Sequence, residues 1–242
     1  MFKIALGAGH GINTPGKRCL KALDPNETRE WWLNDRICDR VEQLLRDYEG
    51  YELLRLDDSD DGQENIALAA RVGAANKWGA DLYLSVHHNA GINGGSGGGI
   101  VAYSYPGAGS ATKAWRDAFY DALIGRTGLK GNRSQGKAEG DYYVLRETAM
   151  PAVLLELGFM DSKTDVPIIL SAKYAECCAQ AIVEVLVKRG KLTKKVEPEP
   201  TSPKETAAIY KVQVGAFSKK ENAQKLVEEL KTKGYNPFII KV

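Results

Sequence analysis

Three histidines occur in the 242 residues, His10, His87 and His88, and all stand at or just past the end of a short apolar run. Glu156, inside VLLELGF, has a similar setting, and Glu30 lies where an apolar periodicity begins. Two neutral imidazoles and one carboxylate leave zinc a fourth position for water, the arrangement a hydrolytic site needs. A second carboxylate within hydrogen-bond reach accepts the proton of that water and hands it to a leaving amine. His10, Glu30 and one histidine of the His87–His88 pair are read as the metal ligands and Glu156 as the general base. A glutamate in so apolar a run costs several kcal/mol if buried alone. Its bland alternative is satisfaction by backbone amides or by an arginine such as Arg146. Strand alternation turns His87 and His88 to opposite faces, so one of them enters a given site, and periodicity does not choose which.

The elements that deliver these residues follow from the patterning. FKIALGA reads as a buried strand ending in glycines, with His10 at its exit and an irregular loop, GINTPGKRCLKALDPNE, after it. Leu33, Ile37, Val41, Leu44, Leu45 and Tyr48 recur at helical spacing, which puts Glu30 in the first turn of a helix, where a carboxylate suits the dipole. YELLRL reads as a strand, ENIALAARVGAANKWG as a helix closed by Gly79, and DLYLSVH as the strand that carries His87. GINGGSGGG is expected as a flexible loop, and IVAYSY after it is a strand, which argues against a phosphate cradle. Ser110 is placed to cap a helix bearing Trp115, Phe119, Ala122 and Leu123. GLKGNRSQGKAEGDYYVLRETAM reads as polar loop with YYVL as a short strand, PAVLLELGF as a strand, and SAKYAECCAQAIVEVLVKRG as a closing helix. The alternation implies an α/β fold, a mostly parallel twisted sheet with helices on both faces. In such sheets ligands bind beyond the carboxyl ends of the strands, which brings His10, His87, Glu156 and Glu30 to one edge.

Residues 1–190 form the expected catalytic domain, 191–208 a proline-rich charged linker, and 209–242 a small strand–helix–strand module. In the module Ser218 and Glu221 have capping-box spacing, and Gly234 can end the helix. The net charge of +2 makes no demand for nucleic acid. Cys19, Cys38, Cys177 and Cys178 form no C-x-x-C pair and read as small apolar residues. The N-terminal apolar run is too short for a signal peptide, and no stretch is long enough for a membrane anchor. The protein is thus expected to be made in the cytoplasm and to meet any outside substrate after release by lysis.

The chain from Phe2 to Lys188 resembles the zinc N-acetylmuramoyl-L-alanine amidases of the type 3 family in four motifs taken in order: GAGHG, the helix-opening ETREWWLN, SVHHNA and PAVLLELGF. VLRETAMPA, Arg71, Asn76 and Trp78 agree further. The resemblance implies His10, Glu30 and His87 as zinc ligands, with Glu27 the alternative to Glu30, Glu156 as catalytic base, and Asn89 as a substrate neighbour. YKVQVGAFSKKENAQKLVEELKTKGYNPFIIKV looks like half of a SPOR module, whose family binds glycan strands lacking stem peptides. The combination is similar to bacillus sporulation amidases and to phage endolysins. It implies hydrolysis of the amide between N-acetylmuramic acid and L-alanine in peptidoglycan. The alternatives are a zinc peptidase acting within the stem peptide and a non-catalytic wall-binding protein. Arg133, Lys137 and Glu139 offer peptide contacts, although a solvated loop explains their charges equally well. A single half-module is small for its own core, and the expectation is a homodimer that completes its sheet.

Overall fold

The computed structural model describes residues 1–57, 64–132, 135–195, 214–217, 219–235 and 237–239. The described chain divides into a unit of residues 1–195 and a second of residues 196–242. In the first, β1 (Phe2–Ala8), α1 (Glu30–Leu45), β2 (Tyr48–Glu49), β3 (Tyr51–Arg55), α2 (Leu68–Trp78) and β4 (Leu82–Asn89) are followed by β5 (Ile100–Ser104) and α3 (Ser110–Thr127). Then come β6 (Lys137–Glu139), α4 (Tyr143–Arg146), β7 (Ala152–Phe159), α5 (Val166–Ile169), α6 (Ala172–Gly190) and β8 (Thr193–Lys194).

The main sheet runs β3-β1-β4-β7-β5-β6. β3, β1, β4 and β7 are mutually parallel, and β5 pairs with β7 antiparallel, so the sheet is mostly parallel and mixed at one side. Strands buried on both faces need apolar residues in both alternating sets. Leu82, Leu84 and Val86 of β4 face one core with Leu33, Ile37 and Val41 of α1, Phe119 and Leu123 of α3, and Ile182 and Leu186 of α6. Ala5, Tyr83, Ala152 and Leu154 face the other, smaller core with Val72 and Ala75 of α2 and Val144 and Leu145 of α4. The set 83, 85, 87 of β4 and the set 152, 154, 156 of β7 therefore share the thinly covered face, and on it the apolar residues give way to Ser85, His87 and Glu156 toward the strand ends.

Several expectations change. YYVL is not a strand: Tyr143–Arg146 is a single helical turn closed by a hydrogen bond from Thr148 Oγ1 to the Val144 carbonyl, and it buries Val144 and Leu145 together. A four-residue apolar run carries too little periodicity to separate the two forms. Lys137–Glu139, expected in a loop, is an edge strand whose ends are tied by Lys137–Asp121 and Lys113–Glu139 ion pairs. Ser110 is the first helical residue rather than the cap, which falls at Gly109. Helix α1 ends at Leu45, and Tyr48 pairs instead with Lys194 across the β2–β8 ribbon. The stretch expected as linker is thus anchored at its start, with Leu192 buried.

GINGGSGGG is held, not loose. The Asp161 carboxylate accepts the N–H groups of Gly91, Ile92 and Asn93, and the Asp165 carboxylate accepts that of Gly99 together with that of Phe159. Gly99 has φ 92°, and a Cβ there would strike the Lys130 carbonyl, so glycine is required by packing as well as by conformation.

In the second unit α7 (Lys220–Thr232) forms as expected and is followed by Gly234 at φ 85°. Its predicted cap, Ser218, lies outside the described residues. So does most of each flanking strand; 214–217 and 237–239 carry no strand, and α7 has no buried residue.

Candidate active site

His10 leaves β1 with φ 67°, a left-handed conformation uncommon for a non-glycine residue. Arg71, 4% exposed on α2, fixes that turn by donating to the carbonyls of Ala8, His10 and Ile66. Asp57 holds the other side by accepting the Ala8 N–H at 3.0 Å. Glu30 is set by a short antiparallel pairing of the loop before α1: Glu30 N–H donates to the Lys17 carbonyl, and Cys19 N–H to the Thr28 carbonyl, around the Arg18–Arg29 bridge. His87 and Glu156 are register partners on adjacent parallel strands. Beyond them the register shifts, and Gly158 at φ 99° takes up the irregularity.

These elements bring three side chains together. One ligand atom from each of His10, Glu30 and His87 lies within 4.8 Å of the others. His87 Nδ1 is 3.1 Å from Glu30 Oε1, and His10 Nε2 is 3.4 Å from Glu30 Oε2. The two imidazoles meet edge to face with centroids 5.1 Å apart. Gly9 makes room for this: a Cβ there would overlap the His87 ring. Glu27 is not in the cluster; it pairs with Arg18 and Lys21.

Electrostatics separate the two glutamates. Burial opposes ionisation of Glu30, but hydrogen bonds and charges from His10 and His87 outweigh it and hold its pKa well below the carboxylate range. Burial pushes Glu156 the other way, well above 4.5, with the charge of Glu30 adding and that of Lys17 opposing. Arg146 does not satisfy Glu156, since it pairs with Asp141 and Glu147, and Glu156 Oε2 is buried without a hydrogen-bond partner. Burial also lowers the pKa of His87, against the pull of Glu30, and so favours the neutral ring that ligates metal.

His88 turns to the opposite face. Its Nδ1 lies 2.8 Å from Asn34 Oδ1, and the Asn34 amide donates to the Gly9 carbonyl, so the pair braces the turn before His10 from behind. Asn89 uses its side-chain oxygen to accept the Ala90 N–H. Arg71, Asn34 and Gly9 lie within the motifs read from the sequence, but their site-shaping roles appear only in the structure. A buried carboxylate with an orphaned oxygen, Glu30 Oε2, two imidazoles beside it and a second carboxylate without a cation make a donor set that fits a zinc ion.

Residues 4–188 match the family model described as N-acetylmuramoyl-L-alanine amidase, and residues 206–242 match that of the SPOR domain. The amidase CwlM of Bacillus licheniformis is 33% identical over 240 residues, covering 99% of this chain and 85% of that protein. The sporulation-specific N-acetylmuramoyl-L-alanine amidase of Bacillus subtilis is 32% identical over 241 residues, with the same 99% and 85% coverage. Among solved structures, the catalytic domain of the amidase CwlV from Paenibacillus polymyxa superposes with a TM-score of 0.69 at 25% identity, over 80% of this chain and all of that one. With a family match over residues 4–188, relatives more than 30% identical over nearly the whole of this chain, and a shared sheet architecture, the chain belongs to the N-acetylmuramoyl-L-alanine amidase family.

Proposed function

We propose that His10, Glu30 and His87 hold zinc and that Glu156 carries the proton in hydrolysis of the amide between N-acetylmuramic acid and L-alanine. The observation that carries this reading is the cluster of His10, Glu30 and His87 with a second buried carboxylate, Glu156, as the register partner of His87, the two glutamates having pKa values driven in opposite directions by their surroundings. Zinc, when bound there, supplies a Lewis acid that polarises the scissile carbonyl and makes water more acidic. Glu156, in the ionised form that a cation held by the neighbouring cluster would favour, has Oε2 free of protein hydrogen bonds; it receives the proton of the attacking water and returns it to the alanine nitrogen as the C–N bond breaks. A carboxylate with a raised pKa is a stronger base toward that water than an ordinary one. Arg71, Asp57 and the Asn34–His88 pair keep the His10 turn rigid, so the ligands need little reorganisation. Asn89 stands as a proposed substrate contact at the end of β4.

The SPOR-family match supports a wall-holding role for the second unit. Val214, Phe217, Tyr235, Phe238 and Ile239 are all at least 45% exposed there, and α7 buries nothing, which favours completion of its apolar face by a second copy. Analytical ultracentrifugation at micromolar concentration is expected to show a dimer, and a monomer would exclude that pairing. The catalytic reading is tested by digesting purified peptidoglycan with and without chelator and identifying the soluble products by mass spectrometry. Stem peptides with a free alanine amine, lost with chelator and regained with zinc, are expected. Cleavage within the peptide would overturn the bond assignment, and binding without cleavage would overturn the enzyme.

A further inference from the structure

Beside the site lies a groove of about 270 Å³ lined by Ile12, Asn26, Glu27, Thr28, Arg29 and Trp32. It is continuous in sequence with two of the clustered ligands, since Ile12 is two residues past His10 and Arg29 immediately precedes Glu30. Trp32 is 47% exposed, whereas Trp31 and Trp115 are nearly buried. Its indole is nevertheless fixed. The Arg36 guanidinium, one helical turn on, lies 4.7 Å from the ring centroid and is itself anchored by donation to the Ile169 and Leu170 carbonyls. An aromatic surface held from behind gives up little further rotamer entropy when a ligand covers it.

The rim is equally prepared. The Asp24 carboxylate accepts the Asn26 and Thr28 N–H groups, and Glu27 is neutralised by Arg18 and Lys21. The Arg29 guanidinium has no side-chain partner among the described residues. A rigid indole next to an isoleucine, edged by the Arg29 guanidinium, matches a pyranose ring. Such a ring offers C–H groups on one face and hydroxyl and acetamido acceptors around its edge. A stem peptide of small and charged residues offers no flat apolar face of that kind.

We propose that this groove is a saccharide subsite in which an N-acetylhexosamine ring of the glycan strand stacks on Trp32. The proposal rests on the amidase reading: the scissile amide joins glycan to peptide, so the two halves of the substrate diverge from it. The groove is built by the loop after β1 and the start of α1, the segments that also supply His10 and Glu30. Its flat aromatic floor fits the glycan half rather than the peptide half.

The test uses the full ¹⁵N-labelled chain, its indole N–H resonances, and two probes. One is a peptide-free tetrasaccharide of alternating N-acetylglucosamine and N-acetylmuramic acid, and the other is the free stem tripeptide. The tryptophans are Trp31, Trp32, Trp78 and Trp115, so the indole signals do not report glycan bound by the second unit. The tetrasaccharide should shift the Trp32 resonance, assigned with W32F, and the tripeptide should not. Read at the Thr28 and Arg29 amides, W32A should weaken saccharide binding about tenfold, and W32F should keep most of it. On glycan-bearing muropeptides W32A should raise KM by a similar factor, with kcat changed far less. An indole unmoved by the saccharide, or moved only by the tripeptide, overturns the subsite. A chain that released no peptide and still showed the saccharide shift would refute the hydrolytic reading while supporting the subsite.

Discussion

Replacing Gly9 by alanine adds one methyl group, and its consequence can be worked from the packing. A Cβ at this position would lie well inside 3.0 Å of the Cε1, Nδ1 and Nε2 atoms of His87. To restore ordinary contact the imidazole has to retreat by about 1 Å, since van der Waals contact between such atoms begins near 3.5 Å. It is not free to do so, because Nδ1 is engaged with Glu30 and Nε2 with Ser85 Oγ, both at 3.1 Å. Metal–ligand distances tolerate roughly 0.2 Å, so the displacement removes one of three protein ligands. Disturbing even the residues behind a ligand costs about 10- to 100-fold in metal affinity, and G9A should lose at least the upper end of that range. Overpacking should also destabilise the metal-free protein by about 1–3 kcal/mol. The assay is zinc competition against a chromophoric chelator, with thermal denaturation of the metal-free chain alongside. Wild-type zinc affinity in a folded G9A protein would show that His87 is not a ligand, and the site assignment would fall.

E156Q should lower kcat by about 10²- to 10⁴-fold and leave zinc content unchanged, as read by metal analysis of the purified variant; a variant that kept full activity would displace Glu156 as the base. Around Arg55 the carboxylates of Asp35, Asp39, Glu42 and Asp57 converge, and burial, with the charge of Asp39 next, raises the Asp35 pKa from 3.8 to about 7 in spite of Arg55. Because the native state favours the proton, the stability Asp35 contributes is complete below pH 3.8 and is lost as pH rises through 7. D35N, which keeps an acceptor for Arg55, should match wild type near pH 4 and exceed it at pH 8 by at most about 4 kcal/mol in denaturant unfolding. A stability difference that stays constant with pH would refute this.

The cluster proposed to hold zinc was legible because metal chemistry uses few residue types and the topology sends strand ends to one edge. His10, Glu30 and His87 needed only that rule and a motif to be paired, and Glu156 announced itself by its apolar surroundings. What stayed hidden was second-order geometry. The family pattern included Arg71 without its role, which its three backbone acceptors reveal, and Gly9 reads as a turn glycine although a Cβ there would overlap the His87 ring. The glycine-rich stretch looked loose because its constraints, Asp161 and Asp165, lie some seventy residues away in sequence. YYVL was too short for its period to decide between strand and turn. Strand alternation left His87 and His88 open and the SVHHNA motif pointed to His87; the structure adds that Asn34 claims the second ring.

β4 ends at Asn89 and β5 begins at Ile100, yet the strand that lies between them in the sheet is Ala152–Phe159. During synthesis, therefore, the chain emerges with its sheet in two pieces, each with an open edge where β7 will insert. The same insertion delivers Glu156 and, directly after it, Asp161 and Asp165, which gather the glycine stretch. A ribosome-bound fragment stopped before β7 can own every metal ligand and still be inert. Hydrolytic competence is the last property the domain acquires as it is made.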